Sequence, residues 1–472
     1  MLNSCKKINE NSFLRQGIVF LYNKTNVALT YFANTGFLAF SSLCLQILTG
    51  IFLVCWYIPN VQFAFFSISF IMLEVPYGWF IRYWHVTGAS FFFFFVYLHI
   101  IKNIFYGSFK APKHFVWLTG CFILILMMII AFFGYILPWG DMSYWATVVV
   151  SNVFTVFGSF GLYFSIWLSG GIELGQHTLS KFFAFHFCLP FFLLFIIFLH
   201  FFLLHNVCST SPFGVKEHWD FLIFEPFFRG KDLWSLFFIL NLQLLVVCLF
   251  PTIFMHAENF EVANLKTTPL HIVPEWYFLP FYGILRVTPS KTMGVFLVFV
   301  FFLLLVSLPF FSFITFFGGR TIHFNAINQV YYYYLLLCIF FAGYFGNKTI
   351  NEITLCFGSI VVSLIFLNFL QLYLYIDFYF FYLFYFENFD ILKLTYVSAL
   401  IFCFIVARSF EWYYGSVNFF WILLYRKGRR RIQQDLFLLE SVLFNKKIIK
   451  ILTRKEQEVN RQLALGKELK SI

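Results

Sequence analysis

Residues 81–102 read IRYWHVTGASFFFFFVYLHIIK, and residues 179–206 read LSKFFAFHFCLPFFLLFIIFLHFFLLHN. The first stretch holds His85 and His99, the second His186 and His200, and each pair is 14 residues apart. On an α-helix that step is close to four turns, so both members of a pair share one face about 21 Å apart along the axis. A lone histidine in an apolar helix is usually a structural residue with one hydrogen-bond partner. Four at a repeated spacing are functional candidates, because ionisable groups inside a membrane span are costly. Glycines keep the same step: Gly36 and Gly50 in the first apolar run, Gly120 and Gly134 in the third. Glycine has no Cβ, so a ligand or another backbone can approach closely; ordinary small-residue helix packing is the competing reading. Two such helices side by side would present two facing histidine pairs, the geometry of two bis-histidine haems stacked through a bilayer.

The bulk properties place these stretches in a membrane. The chain has 472 residues, 61% hydrophobic and 11% charged, with a mean hydropathy of +0.82. Soluble domains carry about 25% charged residues. Apolar runs of the length that spans a bilayer recur from residue 31 to roughly 380, so an all-α polytopic membrane protein is expected. The first 26 residues are polar and basic, and no cleavable signal peptide is expected there. The ten cysteines form no CxxC pair and no CxxCH, which excludes covalent c-type haem attachment; they read as packing residues. The net charge of +11 resides largely in loops and tail, where it orients a membrane protein and does not imply nucleic acid. Phenylalanine is extreme, 77 residues, an association with AT-biased organellar coding.

In order, residues 1–30 form a polar leader. Spans A to D fall at roughly 31–58, 79–104, 115–137 and 178–205, a four-helix bundle carrying the histidines and glycines within residues 31–230. Residues 138–177 read as short interfacial helices. Spans E to H fall at roughly 233–251, 291–314, 328–346 and 352–378, with a long polar loop over 252–290 inside the region 231–380. Residues 381–472 form an extra C-terminal helical region: an apolar stretch at 394–425, one span or two short ones, then a basic tail opening with RKGRRR at 426–431. Clustered Lys and Arg in the leader and in the B–C and D–E loops place the N-terminus on the negative side. By parity His85, His186, Gly50 and Gly134 then share the positive-side layer, and His99, His200, Gly36 and Gly120 the negative-side layer.

Five motifs in this order carry a resemblance: QILTG at 46–50, IRYWHVTGAS at 81–90, GYILPWGDMSYW at 134–145, FFAFHFCLP at 182–190 and PEWYFLP at 274–280. Over roughly residues 30–375 the chain resembles the cytochrome b family, the haem and quinone subunit of respiratory complex III. The resemblance implies two non-covalent b-type haems. His85 and His186 would ligate the low-potential one, His99 and His200 the high-potential one. Arg82 would pair with a propionate through a bidentate bond. Lys102, where the family usually has Arg, would do so as a point charge, with Ser108 a weaker donor. At the positive-side quinone site Glu275 would accept the proton of quinol, with Tyr277 and Tyr135 shaping the pocket. His205, Lys231 and Asp232 would serve the negative-side site. Each also has a plain reading, Glu275 as a satisfied loop carboxylate and Lys231 as a solvated loop edge.

Departures from the family pattern cluster near these sites. Asp141 replaces the usual Gln, and Trp145 is followed directly by Ala146 and Thr147, one glycine short of WGAT. Ala33-Asn34-Thr35-Gly36 stands where WNFG is usual, and Phe37 stands for a serine. Haem and PEWY motifs lie in one chain, which favours the respiratory form over the split plastid one. The implied activity is ubiquinol oxidation at the positive side and ubiquinone reduction at the negative side, coupled to proton translocation as a quinol–cytochrome c reductase subunit. The implied setting is a dimeric complex in the mitochondrial inner membrane, with a Rieske iron–sulphur protein, cytochrome c₁ and further subunits, and the N-terminus in the matrix. Two alternatives stand: a di-haem quinone-reactive anchor of a membrane dehydrogenase, with fewer spans and no PEWY loop, and a haem-free proton-coupled transporter with a histidine relay.

Overall fold

The computed structural model describes residues 24–385, apart from 208, 210, 213–220, 270, 312–320, 323–325 and 350. The chain divides into two compact units, residues 1–386 and 387–472. The second unit, with the expected extra span and the RKGRRR run, lies outside the described residues.

The long helices are α1 (Thr35–Val54), α3 (Gly78–Phe105), α4 (His114–Ile136), α7 (Gln176–Val207), α8 (Arg229–Leu249), α10 (Lys291–Phe311), α11 (Ala326–Asn347) and α12 (Glu352–Tyr385). They are spans A to H, with ends shifted by a few residues. Proline and glycine punctuate them as the sequence suggests: Pro138 and Gly140 after α4, Gly170 and Gly171 before α7, Pro251 after α8. A ninth stretch, Asp141–Ser169, is also apolar enough to count as a span. It breaks at Gly158, whose φ of +66° glycine adopts freely, into α5 (Asp141–Phe154) and α6 (Gly158–Ser169). Ser165 Oγ donates to the Ser151 carbonyl at 3.0 Å, so the two helices fold back on each other. At 14 and 12 residues they cover about 21 and 18 Å, short of a hydrocarbon core of about 30 Å.

Two helices stand where loops were expected. The A–B connection holds α2 (Ala64–Leu73), AFFSISFIML, an apolar run too short to span. The connection after α8 holds a 3₁₀ turn at Ala257–Phe260 and α9 (Leu279–Arg286), which opens with a proline at its first turn. A two-stranded antiparallel pair, β1 (Lys24–Asn26) with β2 (Phe221–Ile223), ties the leader to the segment before α8, with Lys24 opposite Ile223.

Packing proceeds in pairs. α1 runs along α3, α4 along α7, α8 rests on α3, and α9 lies between α10 and α11. One apolar core joins Leu43, Phe93, Met127, Leu193, Tyr277 and Ile365 across these helices. Buried polar groups stitch it: Trp117 Nε1 donates to the Leu305 carbonyl at 2.9 Å, and the Tyr332 hydroxyl to that of Ile101 at 2.9 Å. The outer faces carry exposed phenylalanines, as a lipid-facing surface does.

Candidate functional site

Each of the four glycines faces a histidine on the helix packed against its own. A Cβ built at Gly50 on α1 would lie 3.3 Å from His85 Cε1 on α3, and one at Gly36 would lie 3.0 Å from His99 Cε1. On the other pair, a Cβ at Gly120 of α4 would lie 3.4 Å from His200 Cε1 on α7. One at Gly134 would run into the His186 ring, 2.8 Å from Nδ1 and 2.9 Å from Nε2. A side chain would collide with the ring at Gly134 and press on it at Gly36 and Gly50, whereas at Gly120 the contact would be an ordinary one. The layers are those that parity assigns: His85 and His186 line one cavity with Gly50 and Gly134, and His99 and His200 line a second with Gly36 and Gly120.

The outer nitrogen of every ring is tied back. Nδ1 of His85 meets Thr49 Oγ1 at 2.9 Å, that of His200 meets Thr119 Oγ1 at 2.9 Å, and that of His99 meets Thr35 Oγ1 at 3.4 Å. The three hydroxyls spend their own protons on helix carbonyls: Thr49 on Leu45 at 2.8 Å, Thr119 on Phe115 at 2.9 Å, Thr35 on Phe32 at 3.1 Å. They therefore accept from the rings. His186 Nδ1 meets the Ile130 carbonyl, which can only accept, at 2.9 Å. These partners assign the proton to Nδ1 in all four rings and leave the Nε2 lone pair for a ligand. Pro190, four residues after His186, lies inside α7 and supplies no N–H to the His186 carbonyl.

The donor set fits a bis-histidine iron in a macrocycle. The His85 and His186 ring centroids are 6.2 Å apart with planes at 87°. Two imidazoles on opposite sides of one metal at about 2.0 Å from nitrogen to metal hold their centroids on the order of 6 Å apart. Among the described residues no three His, Cys, Asp or Glu side chains converge on a point. Each layer thus offers two nitrogens and leaves the remaining coordination to the bound group. Arg82, 6% exposed, reaches this cavity, and its guanidinium touches two thioethers, Met72 Sδ at 3.9 Å and Met255 Sδ at 4.0 Å. Among the described residues it has no carboxylate partner, and a buried cation left so costs several kcal/mol. An anionic substituent of the bound group would satisfy it.

The first cavity, about 260 Å³, extends from the His85–His186 layer to the PEWY segment, where Glu275, Tyr277 and Tyr135 line it. The Tyr135 hydroxyl is buried with no hydrogen-bond partner among the described residues. Burial pushes the Glu275 carboxyl up to about 8. Tyr277 lies parallel to Phe93, ring centroids 4.0 Å apart. Trp276 Nε1 donates to Ser90 Oγ at 3.2 Å, and the Tyr97 hydroxyl donates to the Tyr277 carbonyl, so α3 fixes the segment at two points. The far wall is bracketed to α5. Asp141 Oδ1 accepts the Asn264 N–H at 2.9 Å, and Asn259 Oδ1 accepts the Ser143 N–H at 3.0 Å and hydroxyl at 2.8 Å. Trp139 enters α5 with φ 53°, a left-handed conformation that costs a residue with a side chain on the order of 1 kcal/mol, and is buried against Tyr144.

The second cavity, about 270 Å³, is lined by His99, His200, Lys102, Asn103, Ser108 and Lys113, a cationic and hydrogen-bonding rim. Lys231 borders it indirectly: Nζ donates to the carbonyls of Leu29 at 2.8 Å and Thr30 at 3.0 Å, and both residues line the cavity. His205 is exposed, its ring stacked on Phe201, which does line the cavity; Asp232 stays half-buried beside Lys231. Neither His205 nor Asp232 reaches the cavity wall.

Similarity to known proteins falls on these same segments. The family described as Cytochrome b/b6/petB matches residues 20–208, and that described as Cytochrome b(C-terminal)/b6/petD matches residues 262–366. This chain belongs to the cytochrome b family. Cytochrome b of Cyanidium caldarium is 40% identical over 342 residues, 72% of this chain and 88% of that one. Cytochrome b of Rickettsia prowazekii (strain Madrid E) is 38% identical over 363 residues, 76% of this chain and 89% of the relative. A chain of the solved structure titled Hyperthermophilic respiratory Complex III superposes with a TM-score of 0.74 at 29% identity, covering 79% of this chain and 98% of that chain. In this cytochrome b-family chain, the threonines that set the histidine tautomers went unread in the sequence. The signal was present: Thr35, Thr49 and Thr119 each directly precede one of the glycines. Ser90, Tyr97 and Asn259 carried no such signal, because their partners are far away in sequence.

Proposed function

We propose that this chain performs the b-subunit role of a quinol–cytochrome c oxidoreductase through two haem layers and two quinone cavities. His85 and His186 would hold one b-type haem and His99 and His200 the other, each through Nε2, with Arg82 on one side and Lys102 and Ser108 on the other neutralising propionates. When bound, two such haems at different potentials carry single electrons across the bilayer. The residues do the rest. The glycines admit the flat group, the threonines and the Ile130 carbonyl orient the rings, and the apolar core excludes water.

The observation that carries the reading is the continuity of the first cavity. One wall is the His85–His186 layer and another holds Glu275 and Tyr135, a proton acceptor and a hydroxyl without a partner among the described residues. Quinol there would give one proton at a time to the Glu275 carboxylate, with Tyr135 and Tyr277 positioning it. One electron would leave to a partner Rieske iron–sulphur protein, whose motif this sequence lacks, and the other would cross to the second layer. Quinone would be reduced at the second cavity, with protons supplied past His205, Lys231 and Asp232. The setting would be a dimeric complex with cytochrome c₁ in the mitochondrial inner membrane. β1 pairs with β2 and Lys231 grips the leader, so these cationic segments share one end of the bundle; the charge rule makes that end the matrix side.

The test is a redox-titrated optical difference spectrum of the purified complex. Two b-type components at separate potentials are expected, and replacing His186 should remove the low-potential one alone. No b-type signal in folded protein would sink the reading.

A further inference from the structure

The first cavity holds an imidazole that the reading above leaves idle. His256 lies between α8 and the 3₁₀ turn at Ala257–Phe260, and it lines the same cavity as Glu275, Tyr135 and Arg82. Its ring faces the carbonyl of Pro274, the residue directly before Glu275. The side chain is half-buried, whereas Glu258, two residues on, is exposed. His256 thus touches the cavity on one side and stands beside an exposed carboxylate on the other. Its mount is fixed: Asn259 is held by Ser143, and Met255 packs against the Arg82 guanidinium.

We propose that His256 is the proton exit of the first cavity, taking from Glu275 the proton that quinol delivers and releasing it to water beside Glu258. This rests on the reading of that cavity as the quinol-oxidising site. The balance is simple. Oxidation of one quinol yields quinone, two electrons and two protons, and the electrons leave by the two routes given above. The Glu275 carboxylate takes a quinol hydroxyl proton and becomes a carboxylic acid. Neutral His256 takes that proton, which restores the carboxylate and forms an imidazolium. The imidazolium passes it to water, and two passes clear one quinol.

The charges facing His256 suit a group occupied only in transit. Glu258 comes from its own segment and His271 from the segment leading into PEWY; Glu275 and, from α3, Arg82 line the same cavity. Burial lowers its pKa from the ordinary histidine range and Glu258 opposes that shift. The ring is neutral and accepting at neutral pH. The proton rests on Glu275, at about 8, and visits His256 on its way out. Loss of the relay therefore slows turnover without weakening quinol binding.

The experiment measures quinol-driven cytochrome c reduction by the intact complex, with a soluble ubiquinol analogue, as a function of pH. His256→Gln keeps a polar N–H of similar reach but takes up no proton. Its kcat should fall about tenfold or more with KM unchanged and both b-type signals present, and added free imidazole should restore part of the rate. His256→Asp, which can titrate, should recover rate with the acid limb displaced to lower pH, because a carboxylate stays deprotonated further down. A His256→Gln complex with wild-type kcat and pH profile overturns the relay, as does a slow one that neither imidazole nor the Asp variant rescues. Glu275→Gln separates this from the parent reading. If that variant oxidises quinol at the wild-type rate, the cavity assignment falls and the relay with it. If it is slow while His256→Gln is not, only the relay falls.

Discussion

Replacing the four glycines by alanine one at a time should produce graded, layer-specific losses of haem. The gradation follows from the space each Cβ would meet. At Gly134 it would lie against the His186 ring face, 2.8 Å from Nδ1 and 2.9 Å from Nε2, distances that side-chain carbons do not sustain. The ring cannot swing away without losing its bond to the Ile130 carbonyl. At Gly36 the nearest ring atom is 3.0 Å away, at Gly50 3.3 Å, and at Gly120 3.4 Å, the last an ordinary contact. Overpacking costs about 1 to 3 kcal/mol. Charged to ligation at Gly134, that weakens haem retention by about 5- to 150-fold. At Gly120 the contact term is small, and alanine is the better helix former by about 1 kcal/mol.

The assay is the haem content and redox-resolved spectrum of each purified variant. Gly134→Ala should deplete the component ligated by His85 and His186 and spare the other. Gly120→Ala should stay near wild type, with any change confined to the His99–His200 component. Equal losses at Gly134 and Gly120, or loss of the wrong component, would refute the pairing of glycines with histidines on which the haem layers rest.

Other outcomes follow from single contacts. Thr49→Val removes the hydroxyl that accepts from His85 Nδ1 and keeps its shape, so affinity for the group held by that layer should drop about 10- to 100-fold in a haem-transfer assay. Glu275 has its pKa raised to about 8, and the carboxylate is its accepting form, so quinol oxidation should rise as pH climbs through that value. Glu275→Gln should abolish this rise and lower kcat by about 100-fold or more. Asp141→Ala deletes the acceptor for the Asn264 N–H, a bond of about 0.5 to 1.5 kcal/mol, and should raise the KM for quinol about 2- to 12-fold, whereas Asp141→Asn, which keeps an acceptor, should stay near wild type.

What could be read in the sequence was what the helix repeats. A 14-residue step brings residues back to one face, so the histidines, the glycines and their shared layers follow from counting, and the three Thr-Gly pairs could have been added by the same count. Spans emerged because length and apolarity are averages over many residues. The floor and wall of the first cavity have no period. Tyr135 meets Glu275 across 140 residues of chain, and the bracket between α5 and the segment before α9 joins positions whose spacing encodes nothing. Helix α2 escaped for a related reason: its ten residues, eight of them apolar, are too few to span and too uniform to show a polar face. Asp141 is the sharpest case. In the sequence it is a departure from a motif, which suggests a changed pocket. In the fold its carboxylate is turned to a backbone N–H of the opposing segment. An acceptor in place of an amide can hold the same wall, so the substitution bears on how firmly the cavity is closed rather than on what its interior presents.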